Sequence, residues 1–140
     1  MRTLQPRATL SYVNRYALTF QLTLATTMSL FLLRVALAFS FLYPAYGFWA
    51  RPGDWIGYVP AFVKNIGLPS ETILLGFALF HITLALWILI GWRTTLAASV
   101  AAFFLASVVL FNLNQLDILF RDIALALAAL GLALGSRMRE

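Results

Sequence analysis

Five ionisable side chains lie within or at the edge of long apolar stretches of this sequence. They are Arg34, His81, Asp117, Arg121 and Asp122. A charged residue at the centre of a membrane helix costs about 2.5 to 3.5 kcal/mol on insertion scales, so each of the five is a candidate for function by default. The chain has one histidine and no cysteine. It therefore lacks the ligands of a zinc-type site, and we expect no metal centre.

Three of these residues are expected to form an interior polar site. Asp122 shares a helix face with small residues that include Ala129 and Ala133, and such a face lets another helix approach closely in lipid. An acid on that face either has a partner, for which His81 and Arg34 are the candidates, or is protonated and neutral. A histidine at this depth suits proton transfer or a hydrogen bond to a lipophilic ligand such as a quinone. The structural alternatives are a histidine that only joins two helices and an arginine that snorkels to the headgroups.

The remaining two residues are expected to pair locally. Asp117 and Arg121 are four residues apart with the acid N-terminal, the favourable order for an ion pair on one helix face. Asp122 is rotated by about 100° from Arg121 and is not expected to join that pair. The pair would lie at the outer boundary of the membrane.

Composition predicts the elements that must position these residues. The sequence is 62% hydrophobic and 11% charged, well above the apolar content of soluble domains, so we expect lipid to cover its surface. Four continuous apolar stretches each approach the length of a transmembrane helix. They cover residues 28–49, 71–91, 95–111 and 116–136. The predicted fold is an all-α, polytopic membrane protein with a four-transmembrane-helix bundle in residues 28–140.

The first loop between spans is the only connection long enough to have its own structure. Residues 51–67 repeat apolar side chains at helical spacing and contain Pro60, which predicts a short interfacial helix bent near that proline. Four tryptophans occur near the ends of the spans. They are Trp49, Trp55, Trp87 and Trp92. Anchoring at the membrane interfaces is the main expectation for them, with ligand binding as the alternative.

The basic residues predict orientation. Residues 1–27 contain three arginines and no acid, and they read either as an amphipathic interfacial helix or as a partly disordered basic tail. Arginines in this segment, at Arg93 and after the fourth span fall on one side of a four-span protein, so we expect both termini in the cytoplasm and the chain in the cytoplasmic membrane. The net charge of +5 forms no stripe, which favours contact with anionic lipid over nucleic acid.

The sequence also resembles a known family. The stretch "LLRVALAFSFLYPAYGFW", the loop "DWIGYVP", and the stretches "LIGWRTTLAA" and "LDILFRDIALALAALGLAL" are similar to the DoxX/DoxD-like proteins, which are small four-helix membrane proteins. The resemblance begins near residue 29, and its motifs include Arg34, the turn from Gly91 to Thr95, and the pair Arg121 and Asp122. It implies a subunit of a membrane redox assembly. His81 stands where members of the family often carry an acid.

These observations favour a membrane subunit linked to quinone or oxidative-stress redox chemistry, with a quinone as the expected ligand. The alternatives are a non-catalytic scaffold that docks a protein partner, and a transporter of protons or small molecules, which would need an oligomer. The chain has no nucleophile beside a base and no cofactor fingerprint, so we do not expect it to be an enzyme alone. Small residues on two faces of the fourth span allow both internal packing and self-association as a homo-oligomer.

Overall fold

The structure, a computed structural model, describes residues 6–138 of the chain, and the side chains from residue 17 onward. The chain divides into two compact units, Met1–Leu32 and Leu33–Glu140. The expectations that depend on Arg2, on side chains before residue 17 and on Arg139 lie outside the described residues.

The described residues form six α-helices and no strand. The helices are α1 (Pro6–Ala50), α2 (Pro52–Trp55), α3 (Ala61–Lys64), α4 (Ser70–Ile90), α5 (Thr94–Phe111) and α6 (Leu116–Arg137). Four of them, α1, α4, α5 and α6, are long and apolar enough to cross a membrane. This confirms the predicted all-α polytopic fold, and the observed α4, α5 and α6 agree with the predicted spans to within one residue.

The first apolar helix differs from its prediction. Its candidate membrane-spanning stretch is Ala17–Ala50, so it begins before the expected residue 28. Hydroxyl side chains in this part donate hydrogen bonds to carbonyls one turn earlier, as Thr26 Oγ1 does to Leu22 O at 2.7 Å and Ser29 Oγ does to Ala25 O at 2.7 Å. A hydroxyl satisfied in this way adds little polarity to a helix surface, because its proton is already bonded.

Small residues hold α5 and α6 together within the second unit. Ala97, Ala98 and Ala101 on α5 and Ala129 on α6 are all fully buried, and Ala133 is 6% exposed. In lipid, close backbone approach takes the place of the hydrophobic effect as the source of helix association. The buried Ala129 and Ala133 confirm the predicted inward face of α6. We call the part of the second unit that comprises these alanines and the C-terminal end of α4 the closed half.

The loop between α1 and α4 folds as two short helices. α2 continues into a 3₁₀ turn at Ile56–Tyr58, and α3 starts after Pro60. The predicted helix is therefore broken at Pro60, because proline lacks the N–H that a continuing helix needs. Val59 of this loop is buried with Ile73 and Leu74 of α4. This contact fixes the loop on the end of the bundle where α4 begins, which we call the loop end.

Candidate functional site

A cavity of about 240 Å³ lies in the second unit between the helices and the loop. Its walls are mainly aromatic, with Phe41 and Phe48 from α1, Phe77 from α4 and Phe104 from α5. Polar atoms enter the lining at a few points only, from Ser40, His81, Ser107, Arg121 and Asp122 among others. An apolar pocket with a few convergent polar groups is the usual form of a small-molecule site. We call the part of the second unit around this cavity the hollow half.

His81 lies at the deep end of this cavity. Its side chain is buried, with 5% of the residue exposed, and four phenyl rings surround the imidazole with centroid distances between 5.0 and 5.8 Å. They belong to Phe41, Phe48, Phe80 and Phe104. His81 Nδ1 lies 2.7 Å from Phe77 O. Since a carbonyl oxygen can only accept, Nδ1 carries the proton in this bond.

Asp122 lines the same cavity from α6. Its side chain is 15% exposed, and Oδ1 lies 3.9 Å from Nε of Arg121, whose own side chain is 55% exposed. The structure thus pairs Arg121 with Asp122, and no ion pair joins Arg121 to Asp117 among the described residues. The expectation of a pair with Asp117 considered only helix angles. An arginine side chain is long enough to reach sideways around the helix to a neighbour that sits more deeply in the protein.

Arg34 is placed elsewhere. Its guanidinium donates from Nε to Ile88 O at 2.8 Å and also bonds Leu89 O, so it caps the C-terminal carbonyls of α4. Gly91 follows with a φ of +78°, and a Cβ there would collide with the guanidinium of Arg34. The structure therefore brings His81 and Asp122 together in one cavity and puts Arg34 in the closed half. This geometry favours pairing across the bundle over snorkelling.

Trp55 closes the cavity at the loop end. Its indole packs edge-on against Phe48 at 5.1 Å between centroids, and it lies so close to Gly47 that a Cβ at this glycine would overlap the ring. Asn112 anchors the same loop, since its Nδ2 donates to Tyr58 O at 3.3 Å and to Val108 O at 2.9 Å. The loop is thus bonded to the end of α5, and Trp55 is held over the cavity.

The other predicted anchor tryptophans lie away from this cavity. Trp49 and Trp92 are 79% and 67% exposed. The indole of Trp87 donates to Trp92 O at 2.8 Å, and Arg93 lies 5.7 Å from the centre of the Trp92 ring. Interfacial anchoring remains the prediction for these three, while the position of Trp55 is that of a cavity wall.

Several cavity residues were missed by the sequence arguments. Phe41 and Phe48 are seven residues apart on α1 with Pro44 between them, and Phe104 precedes Ser107 by three residues on α5. This spacing places each set on one helix face, which was a usable signal. It carried no information about which helices would meet.

The described residues contain no group of three or more His, Cys, Asp or Glu side chains that could hold a metal ion. The cavity has one histidine and one carboxylate in its lining, so its chemistry is that of hydrogen bonding to an apolar molecule.

Comparison with known proteins identifies one family. The family model described as DoxX matches residues 29–114. Searches of curated proteins and of solved structures each give no significant match. The match includes Arg34 and His81 and ends before α6, so Arg121 and Asp122 lie outside it. Because the matched range covers more than half of the 140 residues, the chain belongs to the DoxX family.

Proposed function

We propose that this protein is a membrane-embedded subunit that binds the ring of a quinone in its aromatic cavity and serves a quinone-linked redox assembly. The observation that carries the proposal is the cavity of about 240 Å³ that contains both His81 and Asp122 among phenyl rings. A quinone ring is flat, apolar on its faces and polar at two opposite ends. Phenyl walls suit the faces, since offset and edge-to-face ring contacts are favourable.

The size of the cavity limits the ligand. Sites that enclose whole drug-sized molecules run from about 300 to 1,000 Å³, and a dry cavity of about 150 Å³ holds a benzene ring. A volume of about 240 Å³ therefore suits one substituted ring, with any isoprenoid tail left in the lipid. Exposed apolar side chains such as Phe62 and Phe111, whose ring centroids are 5.5 Å apart, lie beside the cavity and offer a surface for such a tail.

The electrons would come from a partner. The chain has no cysteine, and thiol redox chemistry needs a thiolate.

We place the subunit in the cytoplasmic membrane with both termini in the cytoplasm. Six basic residues fall on one side of a four-span chain, against Arg51 and Lys64 on the other, and the side richer in basic residues is cytoplasmic by the usual bias. The six are Arg2, Arg7, Arg15, Arg93, Arg137 and Arg139.

The test uses two single-tryptophan variants in lipid nanodiscs. One keeps only Trp55, which lines the cavity, and the other keeps only Trp49, which is 79% exposed. A short-chain naphthoquinone should quench Trp55 with saturation and quench Trp49 in linear proportion to its concentration in the lipid. Linear quenching of both would rule out a cavity-bound quinone.

A matched pair of variants locates the bound ring. Asp122→Asn removes the charge at the cavity wall, whereas Asp117→Asn removes a charge from the exposed first turn of the same helix. We expect the concentration for half-quenching of Trp55 to change for Asp122→Asn and to stay constant for Asp117→Asn. An equal response of the two would place the ligand away from Asp122.

A further inference from the structure

Three neutral polar side chains of the cavity already donate their protons to hydrogen bonds within the protein. His81 Nδ1 donates to Phe77 O at 2.7 Å, Ser40 Oγ donates to Ala36 O at 2.9 Å, and Ser107 Oγ donates to Phe104 O at 2.6 Å. Each of these acceptors is a backbone carbonyl of the same helix. A carbonyl cannot donate in return, so the direction of all three bonds is fixed.

These groups can still accept hydrogen bonds from a ligand through their lone pairs. The neutral imidazole with its proton on Nδ1 has an acceptor at Nε2, and within the described residues Nε2 makes no hydrogen bond. The two serine oxygens retain acceptor capacity in the same way. Pro44 lines the same wall, and because proline has no N–H it leaves the carbonyl of Ser40 without its usual helical donor. The carboxylate of Asp122 adds acceptors only.

Two of the acceptors, Ser40 and His81, lie deeper in the cavity than the donors. Ser40 and His81 are ten and eleven residues from the loop-end termini of α1 and α4, which is about 15 Å of helix at 1.5 Å per residue. The donors among the lining residues are Trp55, Tyr58 and Arg121. The first two belong to the loop, and the side chain of Arg121 is 55% exposed. The deep end, at Ser40 and His81, thus accepts hydrogen bonds, and the donors lie at the loop end and the surface. The acceptors Ser107 and Asp122 lie nearer the loop end, four and six residues from the termini of α5 and α6.

We infer that the cavity selects a ligand whose leading end donates a hydrogen bond, and hence that it binds the reduced, hydroxyl-bearing quinol in preference to the oxidised quinone. The inference rests on the proposed function and adds the redox state of the ligand. A quinol hydroxyl can donate to His81 Nε2. A quinone carbonyl in that position is itself an acceptor, so the lone pairs of its oxygen and of Nε2 repel each other. The buried Nε2 is then left without a donor.

The expected preference is about tenfold for one hydrogen bond to a buried acceptor. It is measured with a redox-inert pair of probes, 4-tert-butylphenol and its methyl ether 4-tert-butylanisole, in which a methoxy group replaces the hydroxyl donor. Each competes against the quenching naphthoquinone in the Trp55-only protein, with concentrations expressed in the bilayer after partition is measured. The phenol should relieve quenching at about one tenth of the concentration that the ether needs.

Substitution of the acceptor should remove the preference. In His81→Leu the phenol and the ether should compete equally, and unchanged competition by the ether shows that the cavity has survived. Ser107→Ala removes an acceptor that this hydrogen bond does not use and should leave the preference unchanged. Ser99→Ala removes a similarly bonded hydroxyl from an exposed position of α5 and should leave the preference unchanged.

The outcomes separate the two proposals. Saturable quenching with equal competition by phenol and ether in the unsubstituted cavity overturns the selectivity and leaves the quinone site standing. A tenfold preference that persists in His81→Leu also overturns the inference, because the donor would then meet another group. Absence of saturable quenching together with absence of competition removes the proposed function itself.

Discussion

The closed half and the hollow half of the second unit are built from the same helices with different side chains. In the closed half α5 and α6 meet through alanines with little or no exposure, and Arg34 bonds the last carbonyls of α4. In the hollow half the facing residues are phenylalanines, a proline and a histidine, and a space of about 240 Å³ remains. Small side chains let backbones approach, whereas large rings hold helices apart. The two halves thus differ in packing, and the hollow half leaves the space in which we propose that a ligand binds.

The largest change in the free energy of unfolding should come from Arg34→Leu. Loss of the guanidinium leaves the carbonyls of Ile88 and Leu89 without their donor, and a hydrogen bond to a charged group is worth about 1.5 to 3 kcal/mol. We expect the free energy of unfolding in mixed micelles to fall by at least that amount, with saturable quenching of Trp55 retained in the folded fraction. Arg137→Leu at the exposed end of α6 is the control. An equal loss from both variants would contradict a capping role for Arg34.

The next effect tests the packing of the closed half. Ala129→Leu adds three carbon atoms at a fully buried position, and overpacking of this kind costs about 1 to 3 kcal/mol. Ala124→Leu makes the same change on an exposed face of α6 and should leave the free energy of unfolding unchanged within error. The SDS concentration at half-unfolding checks both. Comparable stability of the two variants would show that α5 and α6 are not closely packed there.

In the hollow half, a larger side chain is expected to increase the free energy of unfolding. Val108→Phe introduces a ring from a residue that lines the cavity, and cavity filling commonly adds about 0.5 to 2 kcal/mol to the free energy of unfolding. The same variant should abolish saturable quenching of Trp55. Val109→Phe, at a buried position that does not line the cavity, should destabilise instead. Destabilisation by Val108→Phe as large as that by Val109→Phe would mean that no usable space exists.

The smallest effect concerns the loop above the cavity. Asn112→Ala removes the bond of 3.3 Å to Tyr58 O, and a neutral hydrogen bond contributes about 0.5 to 1.5 kcal/mol. We expect acrylamide to reach Trp55 more easily in this variant, because the loop loses its tie to α5. Asn114→Ala changes an exposed residue of the same turn and serves as the control. Unchanged access to Trp55 would show that packing of Val59 alone holds the loop.

Much of the fold was predictable because hydropathy and residue size are local properties. The apolar stretches gave α4, α5 and α6 to within a residue, and the small residues of α6 correctly predicted its inward face at Ala129 and Ala133. The loop helix was predicted less well. Its apolar spacing suggested one bent helix, but the missing N–H of Pro60 separates α2 from α3.

The candidate site was predictable in part. His81 and Asp122 were expected in one interior site and both line the cavity, whereas Arg34 lies in the closed half and Arg121 pairs with Asp122 instead of Asp117. Partners of polar groups depend on the depth and rotation of helices that are far apart in sequence. Arg34 and Ile88 are separated by 54 residues, and no spacing rule connects them.

The sequence by itself determined that lipid, and not water, covers most of the surface, and it determined the number of long helices. Continuous apolar runs must satisfy their backbone internally, and in lipid only helices and closed barrels do so. Only the tertiary structure decided that Phe41, Phe48 and Phe104 would surround His81 and leave a space beside it. The bond from Nδ1 to Phe77 O also belongs to the folded chain. Close packing in one half and ring-to-ring separation in the other are properties of helices in contact, because they depend on which faces meet.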